Sequence, residues 1–266
     1  MKKTILTVLC AAMLLGMAAI PANAADSETV YVSIADDKGN LVLPYKPVTV
    51  TDIDGDGALT VNDVLYAAHD TYYTDGSTGY GSAQSDWGLS LTKLWGVENG
   101  GSYGSYVNNA GAMSLADPVS DGSYVAAFVY TDTSAFSDTY CYFDAQQVTD
   151  AIVGGSVTLT LSAAGFDENY APITSPVANA EILIDGNGTG IFTDTNGVAV
   201  IPFSAAGVYT ISAHSDSQTL VPPVCLVSVG ETAPQTSDSG VWCLAGAFVT
   251  LGAAYVTARR KQSNEN

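Results

Sequence analysis

Short alternations of apolar and polar residues, broken by glycine, asparagine and aspartate, fill the interior of this chain and constrain it to sheet. Val30, Val32 and Ile34 alternate with polar residues, Asp36-Asp37-Lys38-Gly39-Asn40 supplies a turn, and Leu41 to Leu43 begins the return. Successive strand residues face opposite sides, so this period gives a sheet one apolar face. Val48-Thr49-Val50-Thr51 leads into an aspartate-rich loop, and strand patterns resume at 88–95, 103–108 and 123–130. One stretch departs from the period: Val61, Val64, Leu65, Ala68 and Tyr72 recur at helical spacing and predict a single amphipathic helix. A hairpin, a helix and further strands make an α+β order, a small sheet gripping one helix.

After about Gln147 the helical signal is gone. Val157 to Leu161, Ala180 to Ile184 and Val208 to Ile211 alternate, separated by Asp185-Gly186-Asn187-Gly188 and Asp194-Thr195-Asn196-Gly197. Short strands with such turns predict a β-sandwich. The expected division is 25–147 for the α+β domain and 148–230 for the sandwich, with 231–240, rich in Ser, Thr and Pro, as a linker.

Both ends carry export signals. Lys2 and Lys3, the apolar run from Thr4 to Ile20, and Ala22-Asn23-Ala24 read as a signal peptide over 1–24. At the far end an uncharged apolar stretch, 241–258, precedes Arg259-Arg260-Lys261 in a tail of 259–266. Cytoplasmic flanks collect Lys and Arg, so 241–258 is expected to be one C-terminal transmembrane helix, at the short end of the spanning range. Between these ends lie 26 of the 27 acidic residues and only three lysines, Lys38, Lys46 and Lys93, a formal −23. Such a surface repels nucleic acid and anionic lipid and attracts cations. Cys141 and Cys225 are the only cysteine pair there. Export permits a disulfide, and two separate buried thiols are the favoured alternative.

The sharpest motif is Asp52-Ile53-Asp54-Gly55-Asp56-Gly57-Ala58-Leu59-Thr60-Val61-Asn62-Asp63. Ca²⁺ takes roughly 6–8 oxygen ligands, and a twelve-residue loop supplies them from alternate positions. Asp52, Asp54 and Asp56 fall at positions one, three and five, Gly57 at the sharp turn, the Ala58 carbonyl at seven, Thr60 at nine and Asp63 at the bidentate twelfth. These six are the expected metal ligands. The alternative is an acidic turn with a capping box, Thr60 as N-cap and Asp63 three residues on. It explains Thr60 and Asp63 but not three aspartates at alternate positions.

No nucleophile elbow, zinc-protease motif or phosphate loop occurs, and the two histidines, His69 and His214, have no metal-ligating neighbours at useful spacing. No catalytic residue is expected, and both histidines are expected in surface or half-buried polar roles. Trp87, Trp95 and Tyr103, with Tyr80 and Tyr106, cluster among glycines. Either they form an aromatic platform for a ligand, with Trp87, Trp95 and Tyr103 as its binding residues, or Trp95 and Tyr106 are core.

Several of these motifs resemble known families. The calcium loop, entered from a strand and ending in Asp63, resembles an EF-hand and, more closely, the loop-helix half-site of dockerins. Leu91 to Gly96, Tyr106-Val107-Asn108-Asn109 and Asp121-Gly122-Ser123-Tyr124-Val125 resemble β-grasp modules similar to the C-terminal domain of transcobalamin. Thr193-Asp194-Thr195-Asn196-Gly197 followed by Gly207-Val208-Tyr209-Thr210-Ile211 resembles bacterial immunoglobulin-like repeats, which implies a spacer or adhesive unit. Pro234-Gln235-Thr236, ahead of the apolar stretch and basic tail, resembles the sorting signals of Gram-positive surface proteins, although Ser237 stands where Gly is usual. That resemblance implies sortase cleavage after Thr236 and attachment to peptidoglycan; anchoring in the membrane through the uncleaved helix is the alternative.

The expected protein is therefore mainly β: a β-grasp-like domain with a Ca²⁺ loop, an Ig-like β-sandwich and a C-terminal anchor. It is expected to be a non-enzymatic calcium-binding surface protein, an adhesion or display module engaging an extracellular glycan, small molecule or host protein. The alternative is a component that captures a glycan or corrinoid-like small molecule for uptake or degradation.

Overall fold

The computed structural model of the chain describes residues 27–169 and 171–231. The expected signal peptide, sorting motif (Pro234, Gln235, Thr236), transmembrane helix and tail lie outside the described residues. Among the described residues no helix is long and apolar enough to cross a membrane. Strands make up 51% of the structure and helix 8%, so the protein is mainly β.

The first domain contains β1 (Glu28–Ala35), β2 (Leu41–Val50), α1 (Val61–Tyr72), β3 (Gly81–Ser85), β4 (Gly88–Lys93), β5 (Tyr103–Val107), β6 (Ala110–Gly111) and β7 (Tyr124–Val129). Its main sheet runs β2-β1-β7-β5-β6, with β3 and β4 as a separate hairpin. The first and last strands, β1 and β7, are parallel neighbours at its centre, while the flanking pairs are antiparallel. Val107 faces Ala110 across a two-residue turn in which Asn108 and Asn109 both have positive φ, the backbone that a tight hairpin requires.

Strand alternation gives this sheet two different faces. Val30, Val32 and Ile34 of β1 and Val125, Ala127 and Val129 of β7 join Val61, Val64, Leu65 and Ala68 of α1 in one buried cluster. The opposite face, Ala35, Ala126 and Phe128, packs instead against Tyr140 and Val221 of the second domain. With both faces covered, β7 needs apolar residues at successive positions, which explains the unbroken run Val125-Ala126-Ala127-Phe128-Val129.

The second domain contains β8 (Thr139–Phe143), β9 (Gln147–Ile152), β10 (Ser156–Phe166), β11 (Pro172–Pro176), β12 (Glu181–Ile184), β13 (Asn187–Phe192), β14 (Val198–Pro202), β15 (Gly207–His214), β16 (Leu220–Val221) and β17 (Cys225–Gly230). One sheet runs β11-β10-β8-β16 with β14 also on β10; the other runs β13-β12-β15-β17-β9. Their inner faces share one core that includes Phe143, Leu159, Leu161, Ile182, Ile201, Ile211 and Val227. This is the two-sheet sandwich that the alternation predicts. The segment Asp185 to Gly190 forms a hairpin, with Ile184 facing Asn187.

The domain division differs from the expected one. β8 pairs with β10 and β16, so the sandwich begins at Thr139, ahead of the expected start at 148. The link before it is pinned by Asp138, whose carboxylate accepts from Thr131 N–H and hydroxyl and from Asp132 N–H. Cys141 and Cys225 are separate buried thiols, and burial raises the Cys225 thiol to about 12.

Candidate functional site

The aspartate-rich loop connects the end of β2 to the start of α1, so a strand enters it and a helix leaves. Its carboxylates are held by the loop's own backbone. Asp52 accepts from Gly55 N–H at 2.7 Å and from Gly57 N–H at 2.9 Å. These bonds hold its carboxyl below the ordinary range. Asp54 accepts from Asp56 N–H at 3.4 Å, and Asp56 from Ala58 N–H at 2.8 Å. Gly57 has φ +88, the left-handed backbone that reverses the chain. Leu59 tucks against the first-domain core, and its carbonyl accepts from Val119 N–H.

Asp63 lies in the first turn of α1 and is fully buried. One carboxylate oxygen accepts from Ile53 N–H at 2.9 Å; the other accepts from Thr60 N–H at 2.8 Å and the Thr60 hydroxyl at 2.7 Å. Asp63 thus makes the reach-back bond of a capping box and also faces the loop. Oxygens of Asp52, Asp54 and Asp63 all lie within 4.8 Å of one another. Oxygens bound to one Ca²⁺ at about 2.3–2.6 Å lie no more than roughly 5 Å apart, so this spacing suits a shared ion. Asp56 is not in that group. Its carboxylate, like the Thr60 hydroxyl, is engaged in a hydrogen bond within the loop.

Asn62, one residue before Asp63, ties the loop to the rest of the domain. Its amide donates to Asp54 at 3.1 Å, and its carbonyl accepts from the Tyr80 hydroxyl at 2.6 Å and the Ser82 hydroxyl at 3.0 Å. Sequence reasoning gave this residue no role. The available signal was a polar residue beside the apolar stripe of an amphipathic helix.

His69 is neither at the surface nor half-buried, as was expected of it. It is fully buried between α1 and the Trp95 turn, with Nδ1 2.6 Å from the Leu65 carbonyl and Nε2 accepting from Trp95 N–H at 2.9 Å. Trp95 packs edge-on to Tyr73 and tilted on His69. It therefore sits with the core and apart from Trp87, which is 88% exposed. Of the three expected platform residues, Trp87 and Tyr103 meet in one cleft and Trp95 does not.

That cleft, of about 1090 Å³, opens between the two domains. From the first domain come Trp87, Tyr103, Tyr106 and Met113, and from the second Tyr142, Phe166 and Ile173. The second-domain contribution has no signature in sequence, because the two halves of the wall meet only through the fold.

No family model matches the chain, and no curated protein matches it. Among solved structures the chain is similar to one described as the structural basis for Dscam isoform specificity, at 16% identity and TM-score 0.23, covering 41% of this chain and 24% of that one. It is similar to the N-terminal four Ig domains of Dscam1 isoform 7.44, at 11% identity and TM-score 0.23, covering 77% and 46%. A chimeric titin Z1Z2 tandem follows at 14% and 0.23, covering 49% and 84%. The chain thus spans less than half the length of the Dscam chains it matches. Scores this low leave the architecture to be argued from the strands themselves.

Proposed function

We propose that this chain is an exported, surface-held, non-enzymatic module whose first domain is completed by Ca²⁺ bound in the loop between β2 and α1. The observation that carries the reading is the convergence of Asp52, Asp54 and Asp63. Two unit charges 4 Å apart repel by roughly 1 kcal/mol in water and about 4 kcal/mol at an effective dielectric of 20. A divalent cation turns that repulsion into attraction. Millimolar extracellular Ca²⁺ fills even a weak site of this kind. The hairpin, the helix and the parallel pairing of first and last strands support the β-grasp-like reading of the first domain. The sandwich then serves as the Ig-like spacer between it and the anchor.

Melting of the full chain tests the metal. Binding to the folded state alone adds about 2.7 kcal/mol at a free ion concentration of a hundred times the dissociation constant. The chain's melting transition should therefore rise with millimolar Ca²⁺, and Asp52→Ala with Asp54→Ala should abolish the rise. Equal transitions in chelator and in Ca²⁺ would leave only the capping-box turn. Protease added to intact cells tests the location: a chain protected from it would refute surface display.

A second reading, capture of a glycan or corrinoid-like small molecule, is favoured by the cleft that holds Trp87 and Tyr103. Sites for small ligands are concave, largely apolar and aromatic, with a few polar groups to fix orientation.

A further inference from the structure

The cleft between the domains differs chemically from the rest of this acidic chain. Thirty of the described residues line it, and among these Glu98 is the only Asp, Glu, Lys or Arg. Glu98 is already paired with Lys93 at 2.7 Å. Charged residues make up 13% of the chain, so a wall this size with a single one is strongly depleted. Exposed large apolar side chains gather here instead: Trp87, Met113, Phe166 and Ile173 all line it.

The cleft's tyrosines are held in place. The Tyr106 ring stacks on Tyr140 with centroids 3.5 Å apart and planes 7° from parallel. The Tyr103 hydroxyl lies 2.8 Å from the Val97 carbonyl and 2.9 Å from that of Thr92. The Tyr142 hydroxyl meets Thr174 at 3.3 Å. Rings fixed in advance lose little entropy when a ligand arrives. Between them stand neutral hydrogen-bonding groups, among them Gln84, Ser90 and Asn109.

Strand addition by an extended peptide is disfavoured. The edge strand β11 begins and ends in proline, Pro172 and Pro176, which cannot donate to a new ladder. On β4 the Leu89 carbonyl already accepts from Leu115 N–H and the Thr92 carbonyl from Tyr103. An anionic ligand would meet the field of an excess of 23 acidic groups. A cationic ligand would find no unpaired carboxylate among the described lining residues, since Glu98 is held by Lys93. What remains is an uncharged ligand with weakly positive C–H faces to stack on aromatic rings and hydroxyls to pair with amides and hydroxyls. A neutral sugar chain has both.

We propose that this cleft binds a neutral glycan chain, with Trp87 of the first domain and Phe166 of the second supplying stacking faces. This rests on the ligand-capture reading and narrows it to one ligand class.

Titration calorimetry on the full chain, in a detergent without a sugar headgroup, tests it. The probes are cellohexaose, maltohexaose, mannohexaose and chitohexaose, with hexagalacturonate, cyanocobalamin and a proline-rich decapeptide as contrasts. At least one neutral hexasaccharide should bind. Trp87→Ala and Phe166→Ala should each weaken it by about tenfold. Both side chains are largely exposed, so melting temperatures should hold. Hexagalacturonate binding as tightly as the neutral sugars, or both variants binding like the unmodified chain, overturns the proposal. Binding of cyanocobalamin or the decapeptide that depends on Trp87, without sugar binding, overturns the glycan and leaves ligand capture standing. Silence from every probe overturns both.

Discussion

The proton on His69 is fixed by its two neighbours. A backbone N–H can only donate, so Nε2, which faces Trp95 N–H, carries no hydrogen, and Nδ1–H donates to the Leu65 carbonyl. Adding a proton at Nε2 would set two donors against each other inside a packed site of Tyr73, Tyr80 and Trp95 rings. Burial accordingly holds the imidazole below its ordinary pKa. The unfolded chain then binds the proton more readily than the folded one. Stability from this residue is complete above the unfolded value of about 6.5 and drains away as pH falls from there toward the depressed folded value. Thermal melts between pH 7.5 and 5.5 should show that loss, at a pH where most carboxylates still carry charge. His69→Gln should be less stable at pH 7.5 by about 1–3 kcal/mol, since one partner is left unsatisfied, yet flatter across the window. A variant that keeps the full slope would place the titration elsewhere.

At the scale of elements, the turn between β13 and β14 carries the chain from one sheet of the sandwich to the other. Gly197 has φ +77 there, and a Cβ on it would collide with the Leu161 carbonyl. Gly186, in the hairpin between β12 and β13, has φ +78 with open space around it. Alanine at Gly186 should therefore cost only the backbone strain, about 1–2 kcal/mol. Alanine at Gly197 should cost that plus the displacement of β10, so its urea midpoint should fall clearly further. Equal midpoints would mean that the turn yields without disturbing β10. These elements were legible in sequence because each carries its own period: alternation in β1, β10 and β15, and a helical stripe in α1. The convergence of the three aspartates was legible for the same reason, since residue spacing within one loop is a local property. Ownership of β8 was not, because Tyr140-Cys141-Tyr142-Phe143 alternates equally well in either domain. His69 was misplaced because its second partner, Trp95 N–H, lies 26 residues away. The cleft's far wall, Phe166 and Ile173, was invisible because nothing near those residues marks what they face.

On the scale of the whole molecule, charge does little to hold the chain together. Among the described residues Lys93 pairs with Glu98 and His214 lies 3.3 Å from Asp216, both largely in solvent, where such contacts add little. What joins the domains is an apolar seam: Phe128, Ala126 and Ala35 of the first against Tyr140 and Val221 of the second. Tyr140 is its centre. It stacks on Tyr106, and its hydroxyl donates to Asn109 at 3.1 Å. Neighbouring residues of the same strand, Cys141 and Phe143, are buried in the sandwich core instead. One strand thus serves two cores, and the two can be cut separately. Removing a buried aromatic ring costs about 3–5 kcal/mol. In Tyr140→Ala that loss falls on the seam, so calorimetry should turn one cooperative transition into two, each domain keeping its own core. Phe143→Ala, which leaves the seam intact, should act differently, lowering the single transition without splitting it. The seam also positions Tyr106 and Tyr142 in the cleft, so Tyr140→Ala should weaken any ligand bound there while leaving intact the Ca²⁺-dependent shift proposed for the first domain. A single, unshifted transition in Tyr140→Ala would show that the domains melt together for some reason other than this ring.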